Sequence, residues 1–248
     1  MKEKKPKQYE KTIWKPGTCI YPIPAVLVSC GDMKKSNIIT VAWTGIVNTE
    51  PAMVYISVRP NRYSYNIIKE TKEFVINLTT EKLVYAVDWC GVKSGRDFDK
   101  FKEMNLTKQK ANFVSSPLIA ESPISLECKV KEIKELGSHT MFIAEVLCIN
   151  ASNEYIDKNG SFDINKCNLI AYANGGYYSL EKKLGTFGYS VAKKKNKVEI
   201  NRKSYVKTNE KKNKNKSTIN KNKNATRDLK NRENKKSKYF RKNGKKSL

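Results

Sequence analysis

Between Pro24 and Val58 the chain runs through three segments rich in β-branched residues, PAVLVSC (24–30), SNIITVAWTGIV (36–47) and AMVYISV (52–58), separated only by GDMKKS and NTEP. Segments of this make-up fit a pleated, half-buried surface. The Gly, Asn, Asp and Pro of the breaks carry turn chemistry, so the spacing predicts an antiparallel meander. YSYNIIKETK (63–72) then sets Tyr63, Ile67 and Ile68 on one helical face, EFVINL (73–78) returns to strand, and EKLVYAVDWCG (81–91) fits a short helix ended by Gly91. An irregular, charged stretch follows. Two further strands, ISLECKVKEIKEL (124–136) and HTMFIAEVLCIN (139–150), are joined through Gly137 and Ser138. The alternation within LECKVKEIKE leaves one face wet, as antiparallel sheets allow. With no βαβ rhythm and no internal repeat, the expected fold is mainly β: a closed or nearly closed antiparallel barrel with short flanking helices.

Charge divides the chain in two. Of the net +25, residues 193–248 hold 23 Lys and Arg against 4 Asp and Glu, with 11 Asn and few apolar residues in any order. Such a segment cannot bury enough surface to offset the entropy of ordering, so a folded domain over 1–192 and a disordered basic tail over 193–248 are expected. A flexible cationic tail would contact nucleic acid weakly and without sequence preference through counterion release. Compositional drift toward Lys and Asn codons, with no specific role, is the other reading. No run approaches 18 apolar residues and the start lacks the apolar core of a secretory signal, so the expected location is cytoplasmic, with no membrane span. Six Cys stand far apart with no CxxC pair, which argues against a metal site and for reduced thiols packed as small hydrophobes.

Four segments carry chemistry. Strict alternation along 36–44 places Asn37, Ile39, Val41 and Trp43 on one side and Ser36, Ile38, Thr40, Ala42 and Thr44 on the other. An indole beside a strand amide offers a flat apolar wall and a hydrogen-bonding group, suited to a planar heteroaromatic ligand. A core Trp43 and a turn-capping Asn37 are the plain alternative. SVRPNRYSYN (57–66) gathers Ser57, Arg59, Arg62 and Ser64 at a strand-to-helix junction, either a phosphate cradle or a helix cap, with Ser64 as N-cap, among solvated arginines. GVKSGRDFDKF (91–101) brackets Lys93, Ser94, Arg96 and Lys100 with glycines, and Asp97 and Asp99 could hold the basic groups over an anion. His139 is the only histidine, and no Ser/His/Asp set or metal set assembles around it. GxGxxG and Walker loops are absent.

In order and spacing these segments, over roughly residues 19–190, resemble the flavin reductase-like, FMN-binding split-barrel family, and within it the flavoredoxin-type branch. The resemblance rests on the strand with Asn37, Thr40 and Trp43, on RPNRYSYNIIKETKEFVINL, on GVKSGRDFDKF, on SLECKV and on SHTMFIAEV. It implies a Greek-key split β-barrel that binds FMN without covalent attachment and works as a homodimer. By that resemblance Asn37 and Trp43 would border the isoalloxazine, with the backbone amides of Thr40, Val41 and Ala42 reading its polar edge. Ser64, Arg59 and Arg62 would meet the phosphate or ribityl chain, Ser57 and Ser94 would be among the cofactor-binding residues, and Lys100 would lend a positive charge. Tyr172 would supply a further aromatic, and His139 would stand where an electron donor approaches. The implied activity is a flavoprotein oxidoreductase that takes electrons from NADH or NADPH and passes them to free flavin or another acceptor. An FMN electron carrier serving redox-protein partners is the alternative. The tail has no counterpart in the family pattern.

Overall fold

The computed structural model describes residues 9–191, so the tail expected over 193–248 lies outside the described residues. In chain order the body carries β1 (Ile23–Pro24), β2 (Val26–Gly31), β3 (Ser36–Val41), β4 (Thr44–Thr49), β5 (Ala52–Val58), α1 (Tyr63–Thr71), β6 (Glu73–Asn77), α2 (Val84–Val92), α3 (Lys100–Glu103), β7 (Lys108–Gln109), β8 (Leu118–Ile119), β9 (Ile124–Glu135), β10 (Thr140–Ala151), β11 (Ile170–Ala173) and β12 (Gly176–Ser179). Residues up to Lys182 form one compact unit, and the described remainder from Lys183 belongs to a second.

Seven strands make one antiparallel sheet in the order β3-β2-β6-β9-β10-β5-β4. Its two end strands, β3 and β4, are consecutive in the chain, separated only by Ala42 and Trp43. There the Ser57 N–H donates to the Trp43 carbonyl at 2.8 Å. The sheet therefore curls on itself and the bend at 42–43 links its ends, the barrel expected from the sequence. The expected meander is corrected in one respect. The run 36–47 is two strands, because closure requires the chain to leave β2 (Val26↔Val41) and join β5 (Thr44↔Ile56) at that bend.

Alternation along β2 and β3 separates two cores. Val26, Val28, Ile39 and Val41 enter the barrel interior with Ile56, Phe74, Phe142 and Ile68 of α1. Leu27 and Ile38 face the other way, onto Leu83, Val87 and Cys90 around α2 and Phe101 of α3. Full burial of one such side chain is worth about 1.5–3 kcal/mol. The second helix does not end at Gly91 as the sequence led us to expect. It continues to Val92, and a Cβ at Gly91 would meet the Thr40 side chain at 3.4 Å, an ordinary packing distance between α2 and β3. The β9–β10 turn is as expected: Gly137 adopts φ +80° and the Leu136 N–H closes onto the His139 carbonyl.

The wet face expected of β9 holds for Lys131, Glu132, Lys134 and Glu135 and fails at Glu127, which is fully buried. The charged stretch before β9 folds over it. Backbone N–H groups of Asn112, Phe113 and Val114 donate to the Glu127 carboxylate. Further along, Ser29 Oγ donates to the Pro117 carbonyl and the Ile119 N–H to Asn77 Oδ1. Polar anchors thus fix the stretch that leads from α3 to β9.

Four of the six cysteines, Cys30, Cys90, Cys128 and Cys167, are buried, and all six are free thiols. Burial pushes Cys30 and Cys90 up to about 11 and Cys128 up to about 12, which keeps them protonated and unreactive.

Candidate functional site

Helix α1 begins directly after Arg62, whose extended backbone (φ −76°, ψ 139°) makes it the N-cap residue without a side-chain cap; the first turn holds no acidic residue. Ser64 is therefore not the N-cap. It lies inside the first turn, 1% exposed, and accepts a hydrogen bond of 2.7 Å from Asn37 Nδ2 on β3. An uncapped N-terminus leaves N–H donors and the positive end of the helix dipole facing outward.

The loop after α2 closes over this end. At Gly95 an added Cβ would fall 2.1 Å from Asn37 Oδ1 and 2.8 Å from the Tyr63 ring, so only a residue without a side chain lets the loop lie there. The Arg96 guanidinium donates to the Asn61 carbonyl at 3.3 and 3.4 Å and lies 5.9 Å from the Tyr63 ring centre, tying the two loops together. Asp99 caps α3 by accepting from the Phe101 and Lys102 N–H groups. That cap orients the next residue, Lys100, inward: it is 4% exposed, and its ammonium donates to the Cys90 carbonyl at 2.7 Å. No carboxylate pairs with Lys100 among the described residues. Burial holds its pKa below the usual lysine value, and Arg62 adds to the depression.

These elements enclose a cleft of about 120 Å³ lined by Asn37, Ile39, Asn61, Arg62, Tyr63, Ser64, Cys90, Gly91, Lys93, Ser94, Gly95, Arg96 and Lys100. Four cations line it and no Asp or Glu does. A buried ammonium with spare protons, an uncapped helix N-terminus and a side-chain-free loop together make a seat for an anion such as a phosphate.

Of the residues singled out from the sequence, the fold brings Asn37, Arg62, Ser64, Ser94 and Lys100 into this cleft. Arg59 stands outside its lining, as do Ser57 on β5, Thr40 and Val41 at the end of β3, and Ala42 just past it. Thr40 Oγ1 is bonded to the Val87 carbonyl, and Trp43, at the bend, is 36% exposed. His139 precedes Thr140, which pairs with Val58, and Ser138 Oγ lies 2.9 Å from its Nδ1. Burial first, then the charges of Arg59 and Arg62, hold its pKa below the ordinary histidine value. Tyr172 does not line the cleft. It sits in the small sheet β1-β11-β12, its ring 6.2 Å from Tyr21 and 5.6 Å from Tyr177.

Sequence reasoning missed Asn61, Tyr63, Cys90 and the special position of Gly95. A glycine between Ser94 and Arg96 in a basic loop was the only signal for the last. Gly95→Ala is expected to weaken anion binding by about tenfold, because the methyl group must displace Asn37 from Ser64; titration with a phosphorylated ligand checks it.

Residues 18–181 match the family described as the flavin reductase like domain. Among solved structures, the chain is similar to the flavoredoxin of Desulfovibrio vulgaris (Miyazaki F), with 29% identity and a TM-score of 0.68 over 73% of this chain and 99% of that one. The flavoredoxin from Methanosarcina acetivorans matches at 25% identity and a TM-score of 0.67, covering 74% of this chain and all of that one (100%). A protein of Archaeoglobus fulgidus is 32% identical over 146 residues, 59% of this chain and 81% of its own length.

Proposed function

We propose, on the premise that this chain belongs to the flavin reductase-like family and its flavoredoxin-type branch, that its flavin is FMN, that it works as a homodimer, and that it moves electrons from NADH or NADPH to free flavin or another acceptor. The observation that carries the choice of cofactor is buried Lys100, an ammonium without a carboxylate partner, beside the uncapped end of α1. A terminal phosphate dianion answers both.

A cleft of about 120 Å³ is small against the roughly 300–1,000 Å³ of whole-ligand pockets. It suits the phosphate and ribityl end, held by Arg62, Ser64, Ser94 and Lys100. The ring would lie outside, along the outer edge of β3 from Asn37 toward the Thr40–Ala42 amides and Trp43, since β3 ends the sheet order and, among the described residues, its outer edge has no ladder partner. FMN bound there would supply hydride and single-electron chemistry, and the protein its orientation and electrostatics.

His139 has a positioning role in this reading. With its pKa held low it is a neutral imidazole near pH 7, and Ser138 fixes the Nδ1 side of the ring. The ring can then offer Nε2 to an incoming nicotinamide amide without competing for the phosphate.

Absorbance of the purified protein, before and after heat release of the chromophore, tests the cofactor, and NADH or NADPH oxidation with added FMN tests the activity. Colourless protein that stays so with excess FMN rejects the reading. We expect His139→Ala to retain its flavin and lose roughly tenfold in kcat/KM for the nicotinamide, a positioning effect of about 1.4 kcal/mol. An unchanged rate would remove His139 from the site. Similarity to two flavoredoxins favours a second reading, an FMN electron carrier; NAD(P)H oxidation no faster than with free flavin selects it.

A further inference from the structure

The chain enters its first strand through an extended arm with no helix or strand, residues 9–20, that carries large apolar side chains in the open. Ile13 is 96% exposed, Trp14 81% and Ile20 84%. Isolated exposed hydrophobics are ordinary, but a neighbouring Ile and Trp uncovered on a segment without secondary structure invite a cover. Among the described residues, no backbone hydrogen bond outside helices and strands ties residues 9–20 to the body.

The body carries a matching vacancy where the arm departs. A groove of about 240 Å³ lies between the start of β1 and the end of β12, lined chiefly by Pro22, Ile23, Leu78, Leu169, Ile170 and Leu180. Its polar side chain, Thr79, is turned onto the Ala25 carbonyl, so the groove presents mostly hydrocarbon. It offers room for one indole.

We propose that the arm is a clasp exchanged between two copies of this chain, with Trp14 and Ile13 of each seated in the Pro22–Leu180 groove of the other. The two surfaces, one apolar knob and one apolar groove, are carried by every chain, and a two-fold axis satisfies both pairs at once. Reach permits it: the seven residue-to-residue steps from Trp14 to Tyr21, extended, span roughly 23–25 Å, enough to cross to an adjoining subunit. An aromatic side chain buries only about 150–250 Å², so two clasps fall well short of a standard interface of about 1,600 Å². They therefore reinforce a body-to-body contact. The inference rests on the homodimer proposed above and is independent of the flavin.

Sedimentation of the full chain across a dilution series tests it, with Trp14→Ala to remove the knob and Leu180→Glu to charge the groove rim. Leu180 is 65% exposed and the arm is outside the cores, so both variants keep the fold, as circular dichroism will check. Each is expected to raise the dimer dissociation constant by on the order of tenfold. An equimolar mixture should form a heterodimer more readily than either variant dimerises alone, because the intact arm of one meets the intact groove of the other. A dimer indifferent to both variants overturns the clasp and leaves the dimer standing. A chain that is monomeric at all concentrations overturns both. Variants weakened alone with no gain on mixing show the arm folding onto its own groove, and the exchange is then wrong.

Discussion

Lys100→Met should weaken FMN binding by roughly 10–100-fold while leaving the flavin-free protein as stable as the parent, or more so. The two effects have opposite signs for one reason. The Lys100 ammonium is 4% exposed and has a carbonyl, not a carboxylate, as its partner. Desolvating it costs free energy that the protein alone does not recover, and a methionine of similar length removes that cost. When a phosphate arrives, the same ammonium forms a charge-assisted hydrogen bond worth about 1.5–3 kcal/mol, which the variant forgoes. Fluorescence titration with FMN and thermal melts without it read the two signs separately.

The pH dependence follows. Because the folded pKa of Lys100 is depressed, the unfolded chain binds the extra proton between that value and 10.5, so flavin-free stability rises with pH across the window. Lys100→Met abolishes that rise. The midpoint potential of the bound flavin separates two placements. Loss of a cation beside the ring lowers the potential, because the anionic reduced form loses its partner. Loss of a cation beside the phosphate leaves it nearly unchanged. A variant that binds FMN like the parent, at an unaltered potential, would remove Lys100 from the site.

Much of this arrangement could be read from residue order, and the part that could not has a physical explanation. Period-two runs announce strands, and α1 announces itself by the spacing of its apolar face, so the barrel and the Arg62–Ser64 and Lys93–Lys100 segments were foreseeable. Which strands pair was not. The bend at Ala42 and Trp43 is invisible in SNIITVAWTGIV because both halves are good strand sequence and only closure of the barrel breaks them. Strict alternation therefore extends to Val41 and stops. Counting aligns Trp43 with Asn37, yet it lies in the bend and outside the cleft lining. Gly91 and Gly95 were read as turn formers. Gly91 lies inside α2, and Gly95 serves a close approach to Asn37 and Tyr63; a missing side chain reveals its purpose only when the neighbour is known.

Glu127 shows the same limit and yields the largest stability effect. In LECKVKEIKE it reads as one charge on a wet face, but the 112–114 segment covers it. Its carboxylate accepts from the N–H groups of Asn112 (2.9 Å), Phe113 (2.6 Å) and Val114 (3.2 Å), and from the side-chain amide of Asn150 (2.9 Å). Every group facing it donates, and only an ionised carboxylate accepts at both oxygens. Burial pushes its pKa up, yet the Asn112 N–H, the Asn150 amide and the Phe113 N–H together hold it below the usual 4.5. Glu127→Ala should cost about 3–5 kcal/mol, since three backbone donors lose their acceptor inside the fold. Glu127→Gln should recover only part of this, because its NH2 would confront N–H groups. A depressed carboxylate contributes its stability above the unfolded value near 4.5 and loses it as pH falls through the folded value. The parent should therefore unfold more steeply in acid than Glu127→Gln, measured by denaturant melts from pH 7 downward. Equal acid sensitivity would mean that other carboxylates, Glu73 with its Lys129 partner foremost, govern acid unfolding. The segment this carboxylate fixes runs back to α3, so loosening it should also release Lys100. We expect Glu127→Ala to weaken FMN binding in conditions where the variant is still folded, although Glu127 does not line the cleft.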